Sequence, residues 1–264
     1  MRAMELIDIG CNLTHDSFDV DRDAVIEAAH AAGVSQMIIT GGSAEGSQAA
    51  LELALKHPQE LFATAGVHPH RASEYDAETD SLLRELSEND TVVAIGETGL
   101  DYFRDFSPRD AQRSSFEQQI QITIDTKLPF FLHQRDAHAD FVAILKEYRD
   151  KLNEVVVHCF TGTKSELYEY LDLDCYIGIT GWICDERRGT HMKDFMADIP
   201  ANRIMIETDA PYLKPRNLRP KLKSHRNEPR LLPWILGTLA ACRHEHPQTL
   251  AEATTSNARK FFRL

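Results

Sequence analysis

Eight short apolar runs rich in β-branched residues recur along the chain, and amphipathic segments separate them. The runs are 6–9, 36–40, 61–67, 92–96, 129–133, 154–158, 175–180 and 204–207. Helical periodicity is expected at 20–32, 44–57, 78–88, 107–126, 137–148, 164–171 and 189–198, and after the last run at 229–243 and 249–262. Met37-Ile38-Ile39 and Val155-Val156-Val157 are continuously apolar. Such strands suit a parallel sheet covered on both faces. Strands and helices that alternate through short loops predict an α/β fold, a (β/α)₈ TIM barrel, as a single domain over residues 1–264. An open doubly wound sheet fits less well, because no glycine-rich fingerprint follows the first strand. The chain shows no internal repeat and no domain boundary.

Local signals agree. Asp19 or Asp21 can cap the first helix, and Gly33 ends it. Ser107-Pro108 places a cap residue before a proline at the first helical position, and Pro229 can act likewise. Phe116, Ile120, Ile124 and Leu128 recur every four residues, which predicts one buried helix face.

Polar residues end or follow six of the strands. Asn12 follows the first, His68 the third and Glu97 the fourth; His133 and His158 end the fifth and sixth, and Asp209 follows the eighth. In a (β/α)₈ barrel the carboxyl ends of the strands share one mouth, where active sites sit. Glu97, His133, His158 and Asp209 offer two imidazoles and two carboxylates, a donor set for a divalent ion such as Zn²⁺, Mn²⁺ or Mg²⁺. Such an ion can lower the pKa of water from about 15.7 to about 7. A side-chain base alone typically contributes about 10²–10⁴-fold in rate. No serine nucleophile elbow is present, and Cys159 and His158 are strand neighbours that point to opposite faces.

The chain carries 41 acidic and 29 basic residues, a formal charge of −12. Taken alone, this argues against a nucleic-acid partner. Distribution matters more, since charges beyond about 8 Å are largely screened at physiological salt. Between positions 214 and 230 lie Lys214, Arg216, Arg219, Lys221, Lys223, Arg226 and Arg230, with Glu228 the one acid, a local charge of +6 just after Asp209. Arg187 and Arg188 add to this field, which suits phosphate contacts. Trp182, Tyr212, Phe160, Tyr102 and Phe103 follow strand ends and could stack bases.

Five cysteines, Cys11, Cys159, Cys175, Cys184 and Cys242, match no zinc or disulfide spacing and are expected to be reduced thiols. The N-terminus shows no secretory h-region, and no apolar run spans a bilayer. The expectation is a cytoplasmic monomer with no membrane association.

Several stretches together are identified as resembling the TatD family of metal-dependent deoxyribonucleases. They are Asp8-Ile9-Gly10-Cys11-Asn12-Leu13-Thr14, Gly66-Val67-His68-Pro69-His70, Gly96-Glu97-Thr98-Gly99-Leu100-Asp101, His133-Gln134-Arg135-Asp136, Val157-His158-Cys159-Phe160-Thr161-Gly162, Thr180-Gly181-Trp182, Glu207-Thr208-Asp209-Ala210-Pro211 and Arg226-Asn227-Glu228-Pro229. The resemblance covers essentially the whole chain. It implies an amidohydrolase-type barrel with Glu97, His133, His158 and Asp209 as metal ligands, and with Glu97 and Asp209 catalytic, Asp209 orienting or deprotonating the attacking water. It also implies Mg²⁺-dependent 3′–5′ exonuclease action on DNA, preferably single-stranded, in repair or turnover, with RNA as a further substrate. Candidate substrate contacts are Asn12, His68, His70, Arg135, Trp182, Arg187, Arg226 and Asn227. Many relatives carry His-x-His where this chain has Gly10 and Asn12, so one tight ion is expected and a second only weakly.

Two rival functions share this barrel. One is a carboxamide or ester hydrolase, for instance an aminoacyl-tRNA deacylase. The other is a non-catalytic nucleic-acid-binding barrel, which the Gly10 and Asn12 positions favour.

Overall fold

The computed structural model describes residues 4–264; the first three positions of the N-terminal segment lie outside them. The strands are β1 (Leu6–Cys11), β2 (Val34–Ile39), β3 (Leu61–Ala65), β4 (Val92–Asp101), β5 (Phe130–Arg135), β6 (Val155–Val157), β7 (Tyr176–Ile179) and β8 (Ile204–Ile206). They follow sequence order in one eight-stranded sheet. The pairings β3/β4, β4/β5, β5/β6 and β7/β8 are parallel. The helices are α1 (Arg22–Ala31), α2 (Ala44–Ala54), α3 (Ala77–Ser87), α4 (Arg109–Thr126), α5 (His138–Tyr148), α6 (Lys164–Asp172), α7 (Leu232–Arg243) and α8 (Pro247–Phe262). This is the alternation of a (β/α)₈ fold. No helix among the described residues is long and apolar enough to cross a membrane.

The chain gathers into two compact units. One comprises residues up to Ile38, Cys159–Lys164 and Ile177–Leu264; the other comprises Ile39–His158 and Ser165–Tyr176. In the second unit every residue of β4 is buried, as expected of a strand covered on both faces. Phe116 of α4 stacks on Phe130 and Phe141, with ring centroids 5.9 and 5.3 Å apart. Each such buried ring contributes about 1.5–3 kcal/mol.

Helix α4 departs from the simple apolar stripe. Phe116 and Ile120 are buried, but Ile124 is half-buried and Leu128 falls beyond the helix. The inner face instead includes Gln112, Ser115, Gln119 and Thr123. Their partners explain this. Gln119 Oε1 accepts from the Val67 N–H (2.8 Å), and its Nε2 donates to the Val67 carbonyl (3.0 Å) and to Thr98 Oγ1 (2.7 Å). Gln112 Oε1 accepts from the Asp101 N–H (2.8 Å), and its Nε2 donates to the Asp101 carbonyl (3.2 Å). Two buried amides thus satisfy backbone groups where β3 and β4 run out of strand partners.

Three local expectations are corrected. Ser107 does not cap α4: its hydroxyl donates to the His70 carbonyl and accepts from the Ser73 N–H. Asp21 occupies the cap position of α1 but makes no side-chain cap bond, because its carboxylate is held by Arg226. The helix expected at 189–198 is two 3₁₀ segments, Thr190–Asp194 and Met196–Asp198. Met192, Phe195, Met196 and Ile199 are nonetheless buried, and Arg243 donates to the carbonyls of Met196 and Ile199. The apolar spacing is met by a tighter coil whose loose carbonyls are bound by a buried guanidinium.

In the first unit, β1 buries Asp8 completely. Burial pushes its carboxyl up to about 8, outweighing hydrogen bonds from Thr208 and Gly10. The folded protein therefore holds this proton above the ordinary value of 3.8. Between those two values the unfolded chain releases the proton and the folded chain keeps it, so stability from this group falls as pH rises. Asp8→Asn removes the titration and keeps an acceptor oxygen. Thermal melts should show the variant gaining on the parent from about pH 5 to about pH 8; a constant difference over that interval would refute the assignment. Gln119→Ala strands the Val67 amide and carbonyl, and denaturant titration should show a loss of about 2 kcal/mol or more.

Candidate active site

Strand β4 carries the central residue. Its pairing with β5 passes from Ile95↔Phe130 to Thr98↔Leu132, so three steps on β4 match two on β5. The extra residue falls at Gly96-Glu97. Gly96 has φ +129°, and a Cβ there would lie 2.1 Å from the Phe131 carbonyl oxygen. Only glycine allows this approach. Bulges of this kind re-aim side chains, and here the bulge sets the Glu97 carboxylate among three imidazoles. Glu97 Oε1 lies 2.7 Å from His158 Nε2, 3.1 Å from His133 Nδ1 and 3.3 Å from His68 Nε2. Burial alone would raise the Glu97 pKa, but the His158 and His68 imidazoles outweigh it and hold the carboxyl well below its usual range.

The sequence-predicted residues Glu97, His133 and His158 are therefore together. His68 joins them: ligand atoms of His68, Glu97 and His133 lie within 4.8 Å of one another. Donors on one ion at about 2.0–2.2 Å stand at most about 4.4 Å apart, so small movements would close this set on a cation. His68 differs from the other two in its tautomer. The His70 N–H donates to His68 Nδ1 at 3.1 Å. A neutral His68 then carries its proton on Nε2, the atom that faces Glu97. Burial pushes this imidazole down to about 4, so it is neutral at physiological pH. In this tautomer its Nε2 is a hydrogen-bond donor; to ligate a cation it would carry its proton on Nδ1 instead.

His133 is fixed from the other side. Its Nε2 lies 3.2 Å from Asp101 Oδ2, and the same oxygen lies 2.8 Å from His70 Nε2. Burial would raise the Asp101 pKa, but the hydrogen bonds with His133 and His70 outweigh it and lower it. A histidine that gives one N–H to a carboxylate offers the other nitrogen's lone pair toward a metal; here that nitrogen is Nδ1, facing Glu97. Asp101 lies beyond the apolar run 92–96 from which the strand is read in sequence. The strand continues to Asp101, and the Gly-Leu-Asp run was the signal. Phe106 was also missed; it is 68% exposed and meets the His70 ring at 4.9 Å.

In the first unit, Asp209 follows β8 with φ +53°. Its N–H donates to the Gly10 carbonyl at 2.8 Å, and its Oδ1 accepts from Asn12 Nδ2 at 3.1 Å. Asn12 is thus a support for Asp209. Asn227 is corrected: it is fully buried, donates to the Thr208 carbonyl at 2.8 Å and is closed to a substrate. Arg226 is corrected as well. It grips Asp21 through two bonds of 2.8 and 2.7 Å, reaches Glu228 at 3.0 Å and covers the Phe18 ring. Two carboxylates neutralise it and fasten the loop. Lys214 Nζ likewise donates to carbonyls of its own loop, those of Leu222 and Ser224.

Most of the remaining candidates stay on the surface or its margin. Arg135 lies over the Phe103 ring at 3.8 Å. Arg187 is exposed beside Asp185, and Trp182 is half-buried beneath Arg188. Tyr102 donates to Asp140 and packs under Arg109. Phe160 is buried and offers no face to a base.

Comparison with known proteins identifies the family. The family model for TatD related DNases matches residues 7–263. A Rahnella sp. protein named "3′-5′ ssDNA/RNA exonuclease TatD" is 51% identical over 259 residues, covering 98% of each chain. The protein of the same name from Erwinia tasmaniensis is 50% identical, covering 98% of this chain and all of that one. Among solved structures, a TatD homologue of Escherichia coli K12 superposes with a TM-score of 0.89 at 27% identity, covering 99% of both chains. A TatD family hydrolase of Entamoeba histolytica gives 0.87 at 31%, also covering 99% of both. With a (β/α)₈ fold, a histidine–carboxylate cluster at the bulged strand β4 and these relatives, the chain belongs to the TatD family of deoxyribonucleases.

Proposed function

We propose that this chain is a metal-dependent 3′–5′ exonuclease acting on single-stranded DNA and on RNA, in the cytoplasm, in DNA repair or turnover. The observation that carries the reading is the Glu97 carboxylate oxygen facing the imidazoles of His68, His133 and His158 within 3.3 Å. Glu97, His133 and His158 would hold one tight ion, assigned as Mg²⁺, with Mn²⁺ and Zn²⁺ as alternatives that imidazoles also accept. When bound, the ion supplies charge for the phosphate oxygens and acidifies water at neutral pH.

The chain's own residues do the rest. His68 Nε2–H would donate to a phosphate oxygen as a neutral donor, a role that its depressed pKa allows. To Asp209, whose Oδ1 accepts from Asn12, we assign the role that the family resemblance implies, taking the proton of the attacking water. Asp101 is a positioning residue: it fixes the His133 ring and tautomer and ties His70 to the same oxygen. Phe106, exposed against His70, offers a stacking face to the terminal base, a contact worth about 1–3 kcal/mol.

Product analysis on 3′- and 5′-labelled single strands with Mg²⁺ should show mononucleotides leaving from the 3′ end. Cleavage of aminoacyl esters with strands left intact would favour the ester-hydrolase reading instead. Glu97→Ala should fold and release no nucleotide. His133→Ala should lose calorimetric Mn²⁺ binding, whereas His68→Ala should retain it and lose turnover; equal losses of Mn²⁺ affinity would make His68 a ligand. Asp101→Asn should cost about 10–100-fold in metal affinity or activity, and unchanged values would leave His133 positioned without it.

A further inference from the structure

The first unit holds an arginine cluster that the catalytic reading does not use. Strand β7 ends in a 3₁₀ turn, Gly181–Cys184, followed by Asp185. A Cβ at Gly181 would lie 2.0 Å from the Leu213 carbonyl oxygen, so the turn after β7 and the segment after β8 are in direct contact. Both segments leave the carboxyl ends of their strands, the end at which β8 leads to Asp209.

Asp185 is the anchor. Its side chain is 2% exposed, while those of Arg187, Arg188 and Arg216 are 65%, 49% and 51% exposed. All three guanidiniums approach its carboxylate through Nε: Arg187 at 3.6 Å, Arg188 at 2.8 Å and Arg216 at 3.8 Å. The Arg187 N–H donates to the same carboxylate at 2.9 Å, and the Asp185 carbonyl accepts from the Gly189 N–H at 2.8 Å. Burial would raise the Asp185 pKa, but the Arg187 N–H and the guanidiniums outweigh it and keep the carboxyl ionised. Arg188 also lies over the Trp182 ring at 4.1 Å, and Trp182 Nε1 donates to the Arg188 carbonyl at 3.3 Å.

The three Nε edges turn inward, and among the described residues none of the Nη nitrogens of Arg187, Arg188 or Arg216 makes a hydrogen bond. One carboxylate cannot neutralise three guanidiniums, so the group keeps two positive charges, or one if the neighbouring exposed Glu186 is counted. Arginine forks of this kind match phosphate geometry. Preorganised forks also lose less entropy on binding than loose side chains.

We infer that Asp185, Arg187, Arg188 and Arg216 form a backbone-phosphate grip for the body of a single-stranded nucleic acid, with Trp182 stiffening Arg188. It deepens the exonuclease reading and rests on it for the substrate class. A long strand carries many backbone phosphates for the grip to hold, whereas a dinucleotide has a single phosphodiester, the one that is cleaved. The grip therefore governs affinity for long strands and leaves the chemical step alone.

The test is fluorescence anisotropy with a labelled oligothymidylate of about twenty nucleotides, with Ca²⁺ replacing Mg²⁺ so that binding is read without cleavage. Arg188→Ala should weaken binding about tenfold. It should also flatten the slope of log affinity against log salt by about 0.7 over about 50–200 mM. Asp185→Asn discriminates between an organised grip and a diffuse field. It removes a negative charge, so a field would bind more tightly, whereas an anchored grip loosens and binds more weakly. Circular dichroism confirms that each variant is folded. In Mg²⁺, Arg188→Ala should raise KM for the long strand, with kcat unchanged and the dinucleotide cleaved as by the parent. Unchanged binding in Arg188→Ala, or tighter binding in Asp185→Asn, overturns the grip. A parent protein that binds the strand but never cleaves it overturns the exonuclease reading instead.

Discussion

A buried carboxylate oxygen, Glu97 Oε1, faces three imidazole nitrogens, and the second unit is organised around keeping it there. An isolated buried carboxylate would take up a proton, because desolvation penalises its charge. Here the imidazoles outweigh burial and Glu97 stays ionised. That arrangement requires a strand bulge at Gly96, where no side chain fits. It also requires that the neighbouring strand ends be fixed without ladder partners. Gln119 and Gln112 do this by binding the backbone at Val67 and Asp101. Asp101 in turn sets the face that His133 presents. Polar residues on the inner side of α4 are thus part of the site's geometry, although none of them touches Glu97.

The first unit treats charge differently. Burial pushes the Asp8 carboxyl up beneath the Thr208-Asp209 turn, and Asn12 and Asn227 tie that turn to its surroundings. The basic loop looked in sequence like one open patch of +6. Folding divides it by function: Arg226 is consumed by Asp21 and Glu228, Arg230 by Glu228, and Lys214 by the loop's own carbonyls. Arg216 turns toward Asp185 and meets Arg187 and Arg188 from the turn after β7. The formal net charge of −12 says little about such a protein, because what a phosphate meets is set within a few ångströms.

Much of this was legible beforehand for a physical reason. Strand and helix periods are local, and a (β/α)₈ fold places chemistry at strand ends, so Glu97, His133 and His158 could be picked out from their positions alone. The failures share a cause as well. The apolar run of β4 stops at Gly96, whereas the strand continues to Asp101. The 189–198 segment had helical spacing but folded as 3₁₀ turns. Arg226 and Asn227 carry polar side chains suited to a ligand, yet their partners are Asp21 and the Thr208 carbonyl. Nothing in the sequence gives those pairings.

The sequence by itself determined the order of strands and helices, the family, and which side chains are able to ligate a cation, since these follow from residue type and short-range spacing. Tertiary structure alone decided which polar groups are available. It put the proton of His68 on Nε2, turned Asp101 onto His133, and buried Asn227. Protonation, tautomer and availability depend on desolvation and on partners far apart in the chain, and only the folded packing brings those together.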